Sequence, residues 1–264
     1  MTDSSAAAGD ATYVYAVSRA LDGSLLGDLA GVGGRPVRLV DGAGLTAIVS
    51  TVDLADFGEE ALHRNLEDLA WLEATARAHH SIVEATGAVA ATAPLRLATV
   101  YHTDDRVREL LAEQGEAFAQ ALSRVEGRAE WGVKAYADPE AFAAGESSET
   151  SGSARPGSGT AYLERRRSQR RSREDAGRAA TARAEDIHAA LEEVAEASRR
   201  HPPQDQRLTG HAGWMLLNGA YLVADDRVDE LRAAVAEFDE QQGIELELTG
   251  PWVPYSFADP ELES

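Results

Sequence analysis

The adjacent pair His79-His80 is the first place in this chain where residue type and spacing could do chemistry. Imidazole can ligate a metal or take up a proton near neutral pH, so two on one helix could found a zinc site or a general base. A zinc site wants further ligands at i+3 or i+4. Those positions hold Ile82, Val83 and Glu84, which offer one carboxylate. The competing reading is a hydrogen-bonded core histidine that secures helix packing. Projected at 100° per residue, His80 falls near the centre of the stripe formed by Leu62, Leu66 and Leu69, with His79 at its edge.

Other chemical constellations are absent from the sequence. Gly31-Val32-Gly33-Gly34 has the glycine density of a phosphate loop, but Arg35-Pro36 follows instead of Lys-Ser/Thr and a helix start, so a turn is expected. Neither Gly-x-Ser-x-Gly nor His-Glu-x-x-His occurs. With no cysteine, thiolate nucleophiles, Cys-ligated zinc, iron–sulfur clusters and disulfides are excluded. The expectation is a protein with no catalytic residues, no metal and no cofactor, and hence not an enzyme.

The elements that would position these residues belong to a globular composition: 264 residues, 44% hydrophobic and 27% charged, enough for one large or two small domains. A net charge of −20 repels a phosphate backbone, which disfavours nucleic acid as a partner. Met1 to Asp10 is acidic and small-residue-rich instead of basic then apolar, so residues 1–11 are read as a frayed tail and not as a secretory signal. No window approaches the roughly 20 apolar residues of a membrane span, and a cytoplasmic protein without membrane partners is expected.

Ala144 to Gly159 is rich in Gly and Ser without a large apolar anchor, and reads as a flexible linker between an amino-terminal domain, 12–143, and a carboxy-terminal domain, 160–264. In the first, strands are expected at Thr12–Val17, Pro36–Val40, Leu45–Val52, Ala88–Ala91, Arg96–His102 and Glu130–Ala137. A long helix from Glu59 to Gly87 and another carrying Val107, Leu111, Phe118 and Leu122 separate them. In the second, residues 160–200 keep a narrow stripe through Ala180, Ala184, Ile187, Leu191 and Val194. A long, coiled-coil-like helix stopped by His201-Pro202-Pro203 is therefore expected. An α+β unit over 212–264 follows, with strands at Trp214–Val223 and Ile244–Leu248 flanking a helix at Arg227–Glu240. The fold class is α+β: two small ferredoxin-like domains joined by a linker and a long helix.

Two features point outward. Arg165, Arg166, Arg167, Arg170, Arg171, Arg173, Arg178 and Arg183, against Glu174 and Asp175, give 8 − 2 = +6 within a −20 chain. This is either a solvated helix face or a docking surface for an acidic segment, with Arg166, Arg170 and Arg173 as the candidate contacts. Trp71 projects almost opposite the leucine stripe, so it is either covered by the second domain or an exposed anchor for a partner.

Seven motifs in order then resemble the gas vesicle protein F/L family over nearly the whole chain. They are Tyr13-Val14-Tyr15-Ala16-Val17, Trp71-Leu72 with His79-His80, Pro94-Leu95-Arg96, and Glu130-Trp131-Gly132-Val133-Lys134. The others are Gly159-Thr160-Ala161-Tyr162-Leu163, Asn218-Gly219-Ala220-Tyr221-Leu222-Val223, and the closing Gly250-Pro251-Trp252-Val253-Pro254-Tyr255-Ser256-Phe257. Val253 stands where the family usually has a second proline, and Leu97-Ala98 where Phe-Gly is typical.

The resemblance implies two α+β domains joined through a helical segment, and a cytoplasmic, gas-vesicle-associated assembly factor or minor structural component. Its implied partners are the hydrophobic main shell protein and other gas vesicle accessory proteins. It carries over no catalytic residues. The closing residues Gly250, Pro251, Trp252, Pro254, Tyr255 and Phe257 are expected to pack the tail onto the second domain as a structural motif. The alternative is a ligand-sensing regulatory protein built on paired ferredoxin-like domains.

Overall fold

The structure, a computed structural model, describes residues 9–19, 21–27, 29–138, 159–203, 213–239 and 243–258. Nearly all of the expected linker at 144–159 and of the expected tail lie outside them, but Gly159, expected in the linker, already opens a helix. Strand β1 (Asp10–Ser18) nevertheless begins inside the stretch expected to be frayed, and Ala11 is already buried.

The chain forms two units, one of residues 1–129 with 252–264, the other of residues 130–251. The expected boundary at residues 143 and 144 is therefore displaced at both ends. Sheet pairing gives the reason: the strand at Arg128–Ala137, expected to complete the first domain, hydrogen-bonds into the second sheet.

In the first unit, β1 is central. It pairs antiparallel with β3 (Leu45–Asp53) on one side and with β4 (Thr92–Pro94) and β5 (Val100–Tyr101) on the other; β2 (Val37–Gly42) lies outside β3. Residues Ala11 to Ser18 are all buried, so β1 is covered on both faces, which its run of Val and Tyr favours over strict alternation. The β2–β3 hairpin closes through Ala43 and Gly44, both at positive φ (52° and 75°), as the twist of a two-residue turn requires. β4 lies at Thr92–Pro94 rather than Ala88–Ala91, and β5 has two residues rather than seven.

The long helix expected from Glu59 is broken into α2 (Glu59–Leu66) and α3 (Leu69–Gly87), preceded by the single turn α1 (Leu54–Phe57). Asp68 causes the break. Its carboxylate accepts from Ala70 N at 2.9 Å, and from Trp71 N, so it caps a new helix instead of continuing the old one. A helical projection carried across this break loses phase. Leu66 and Leu69, expected inside, are 39% and 79% exposed. Helices α4 (Asp104–Glu113) and α5 (Gly115–Val125) complete the unit and bury Val107, Leu111, Phe118 and Leu122 as their spacing predicts.

The glycine-rich segment is a turn, with Gly33 and Gly34 at φ 61° and 71°. Gly31 is required by close approach: any Cβ there would overlap the Tyr15 hydroxyl and Ser50 Oγ. Val32 N donates to Tyr15 Oη at 2.8 Å, and Tyr15 Oη donates to Ser50 Oγ at 2.9 Å.

The second unit runs β6 (Arg128–Ala137), α6 (Gly159–Val194), β7 (Ala197–Arg200), β8 (Trp214–Ala224), α7 (Val228–Asp239) and β9 (Ile244–Trp252), with sheet order β7-β8-β6-β9. The α6 stripe Ala180, Ala184, Ile187, Leu191 and Val194 is buried against β8 and α7. Helix α6 ends at Val194, not at the prolines, because residues 197–200 pair antiparallel with β8. Mixed helix and sheet with two antiparallel sheets is thus the observed class.

The closing motif divides between the units. Gly250 and Pro251 end β9, with Gly250 at φ 125° against Glu130 O and the Trp131 ring, where a side chain would collide. From Trp252 onward the chain packs on the first unit rather than the second: Val253 lies against Gly87 and the core around Tyr13, Pro254 is buried, and Phe257 is 7% exposed. Trp252 and Tyr255, expected to be buried, stay 43% and 36% exposed beside His80, at 6.2 and 6.3 Å between ring centres.

Candidate functional site

The two histidines exchange their expected roles. His79 is the core residue, 3% exposed, and His80 reaches the surface, where Nε2 lies 3.1 Å from Glu84 Oε1. The cap at Asp68 sets the α3 phase that turns His79 toward β1. There its Nδ1 lies 2.9 Å from Tyr13 Oη.

Tyr13 Oη also accepts the Ala98 N–H at 3.0 Å. The Tyr13 hydroxyl both accepts and donates if its proton points at Nδ1, which leaves the imidazole proton on Nε2. Burial holds the His79 pKa down at about 4, with the Leu95 backbone partly offsetting it and the nearby His80 adding to the depression. His79 is therefore neutral at pH 7, a donor at Nε2 and no base. Burial likewise raises the Tyr13 hydroxyl well above its ordinary value.

Beside this pair lies a pocket of about 340 Å³, lined by His79, His80, Leu95, Arg96, Leu97 and Tyr255 among others. All of these belong to the first unit. No acceptor meets hydrogen-bonding geometry at His79 Nε2. Among the described residues no cluster of His, Asp and Glu is arranged to hold a metal ion.

The second unit carries the same side-chain pair. His188 on α6 is 9% exposed, and its Nδ1 lies 2.8 Å from the hydroxyl of Tyr221 on β8. Its Nε2 faces Glu192 at 3.3 Å. Burial lowers the His188 pKa and raises that of Tyr221. Sequence reasoning overlooked both tyrosines as partners. The available signal was a histidine on an apolar helix stripe in each half, matched by a tyrosine inside a Val-rich strand.

Trp71 is not turned away from its core. It is half-buried, packs with the cluster around Tyr13 and meets Phe57 at 5.4 Å between ring centres. Of the arginine run, Arg166, Arg170 and Arg173 lie on the α6 backbone with side chains outside the described set. Arg178 pairs with Asp175 and Arg183 with Asp186 on the same helix, as in a solvated face.

No helix among the described residues is long and apolar enough to cross a membrane. The chain is 16% identical to the crystallised gas vesicle protein GvpF of Microcystis aeruginosa, with a TM-score of 0.66 over 94% of this chain and 99% of that one, a likeness of fold. It is 44% identical to gas vesicle protein L of a Streptomyces species over 93% of this chain and 92% of the relative. Gas vesicle protein F of the same species is 28% identical over 94% and 99%. The family model described as gas vesicle synthesis protein GvpL/GvpF matches residues 11–259, from the first residues of β1 through the tail that packs around His80. With the match running through both units and the closing motif, this chain belongs to the GvpL/GvpF family of gas vesicle proteins.

Proposed function

We propose that this protein serves gas vesicle formation as a non-catalytic assembly factor or minor component that holds the apolar main shell protein. It would act in the cytoplasm and at the growing vesicle, alongside other accessory proteins. The observation that carries the reading is the exposed pair Leu66 and Leu69 at the α2–α3 junction. An apolar contact on a strongly acidic chain suits a holder of an aggregation-prone client, because the net charge keeps the complex soluble. Leu66 and Leu69 replace Trp71 as the proposed anchor, since Trp71 contributes to the core. We also read the second unit as ferredoxin-like, because its β-α-β-β-α-β order and its 2-3-1-4 strand arrangement follow that pattern.

The test is binding of purified shell protein to Leu66→Ser/Leu69→Ser, with vesicles counted by electron microscopy in cells carrying the variant. Affinity reduced by about tenfold or more, with an unchanged melting curve, supports the reading. Unchanged affinity removes these leucines from the contact, and a wild-type protein that binds no shell protein removes the holder role.

A further inference from the structure

From Val194 back to Ala180 the buried stripe of α6 steps by three and four residues, the spacing of a heptad seam, and packs against β8 and α7. Continued at the same spacing toward the start of the helix, that face passes Gly177 and then Arg173, Arg170, Arg166 and Leu163. The cover ends where the arginines begin. A Cβ on Gly177 would meet nothing within 4 Å, whereas Ala180, one step further on, is 5% exposed. At 1.5 Å per residue, roughly 30 Å of helix precedes Ala180.

Off this seam, arginines are answered within the helix, Arg178 by Asp175 and Arg183 by Asp186. On it, Arg166 and Arg173 have no Asp or Glu three or four positions away, and Arg170 stands at those spacings from both. Like charges so placed destabilise a helix, and the seam lacks in its own helix the negative charge that would balance it. A second copy packed in register, seam to seam, would set arginine against arginine. A nucleic acid or an anionic membrane spreads its charge widely and would meet the rest of a −20 chain. A single acidic helix meets the seam alone, with carboxylates facing the arginines and an apolar residue facing Leu163. From the continuity of the seam and its unbalanced charge, we propose that the first half of α6 is a docking surface for an acidic helical segment of a partner protein. The proposal is independent of shell-protein binding through Leu66 and Leu69.

The full-length protein is titrated at physiological salt with a synthetic helical peptide bearing leucine and three glutamates at successive a and d positions. A peptide of the same composition, with its glutamates spread around the helix, is titrated in parallel. The expected result is about tenfold tighter binding of the seam peptide. Arg166→Gln/Arg170→Gln/Arg173→Gln should abolish the difference, while Arg165→Gln/Arg171→Gln/Arg178→Gln, an equal change of charge off the seam, should keep it. Glutamine is a good helix former, and equal helix content by circular dichroism checks that α6 persists in both variants. Equal binding of the two peptides, binding of neither, or equal loss in the two variants overturns the proposal. Duplex DNA or phosphatidylglycerol vesicles bound tenfold more tightly than the seam peptide also overturn it, by assigning the arginines to a nucleic acid or a membrane. Self-association that only the seam variant abolishes does the same, by assigning them to a second copy of the chain.

Discussion

His79 on α3 and Tyr13 on β1 are joined by a buried hydrogen bond of 2.9 Å, and this contact couples the longest helix of the first unit to its central strand. The imidazole is held neutral by burial, with a pKa of about 4. Unfolded, His79 takes up a proton below about pH 6.5. The sign follows: the unfolded state binds more protons between these values, so stability is complete above about pH 6.5 and falls as pH drops toward 4. The loss attributable to His79 is roughly 3 kcal/mol. Urea unfolding followed through β1 amide exchange should show this decline, and His79→Asn should shallow it by one proton. A slope unchanged by the substitution would assign the pH dependence elsewhere.

Arg38 and Asp104 tie β2 to α4 through two hydrogen bonds of 2.7 and 2.8 Å, with Thr12 of β1 donating to the same carboxylate. The Arg38 guanidinium holds Asp104 below the usual carboxylate range. The stabilisation is present above the unfolded value and is lost as pH falls through the lower folded value. Both side chains are about one-third exposed, so solvent screens the pair, and Asp104→Asn should cost about 1 kcal/mol at pH 7. Once the pH has fallen below the lowered folded value of Asp104, the variant and the parent should unfold at similar urea concentrations.

Ala98 sits at φ 63°, in the left-handed region, while its N–H bonds Tyr13. This is the position where the family pattern has glycine. Ala98→Gly relieves roughly 1–2 kcal/mol of strain and adds roughly 0.5–1 kcal/mol of unfolded-chain entropy. A net gain of about 0.5 kcal/mol should raise the urea midpoint of the first unit. A lowered midpoint would mean that the Ala98 methyl packs productively.

Phe257 and Ala258 are buried in the tail that returns to the first unit. Phe257→Ala should cost about 3 kcal/mol, and exchange protection should fall in α3 and β1. Protection lost only from β8 and β9 would place the tail on the other unit instead.

The sequence by itself determined the family, the α+β class, most strands and the absence of thiol chemistry, because these depend on local pattern and residue type. The alternating and β-branched runs of β1, β3 and β8 lie within one or two residues of where they are expected, since a run with turns at both ends has one economical conformation. Tertiary structure decided which face is inside. Asp68 can either continue a helix or cap one, and only the packing of Trp71 and His79 selects the cap that exposes Leu69 and buries His79. It also decided which sheet takes β6 and which unit takes the tail. Strand pairing and docking join residues more than 100 positions apart, as in Gly132 and Thr249, and no local period encodes such a pairing.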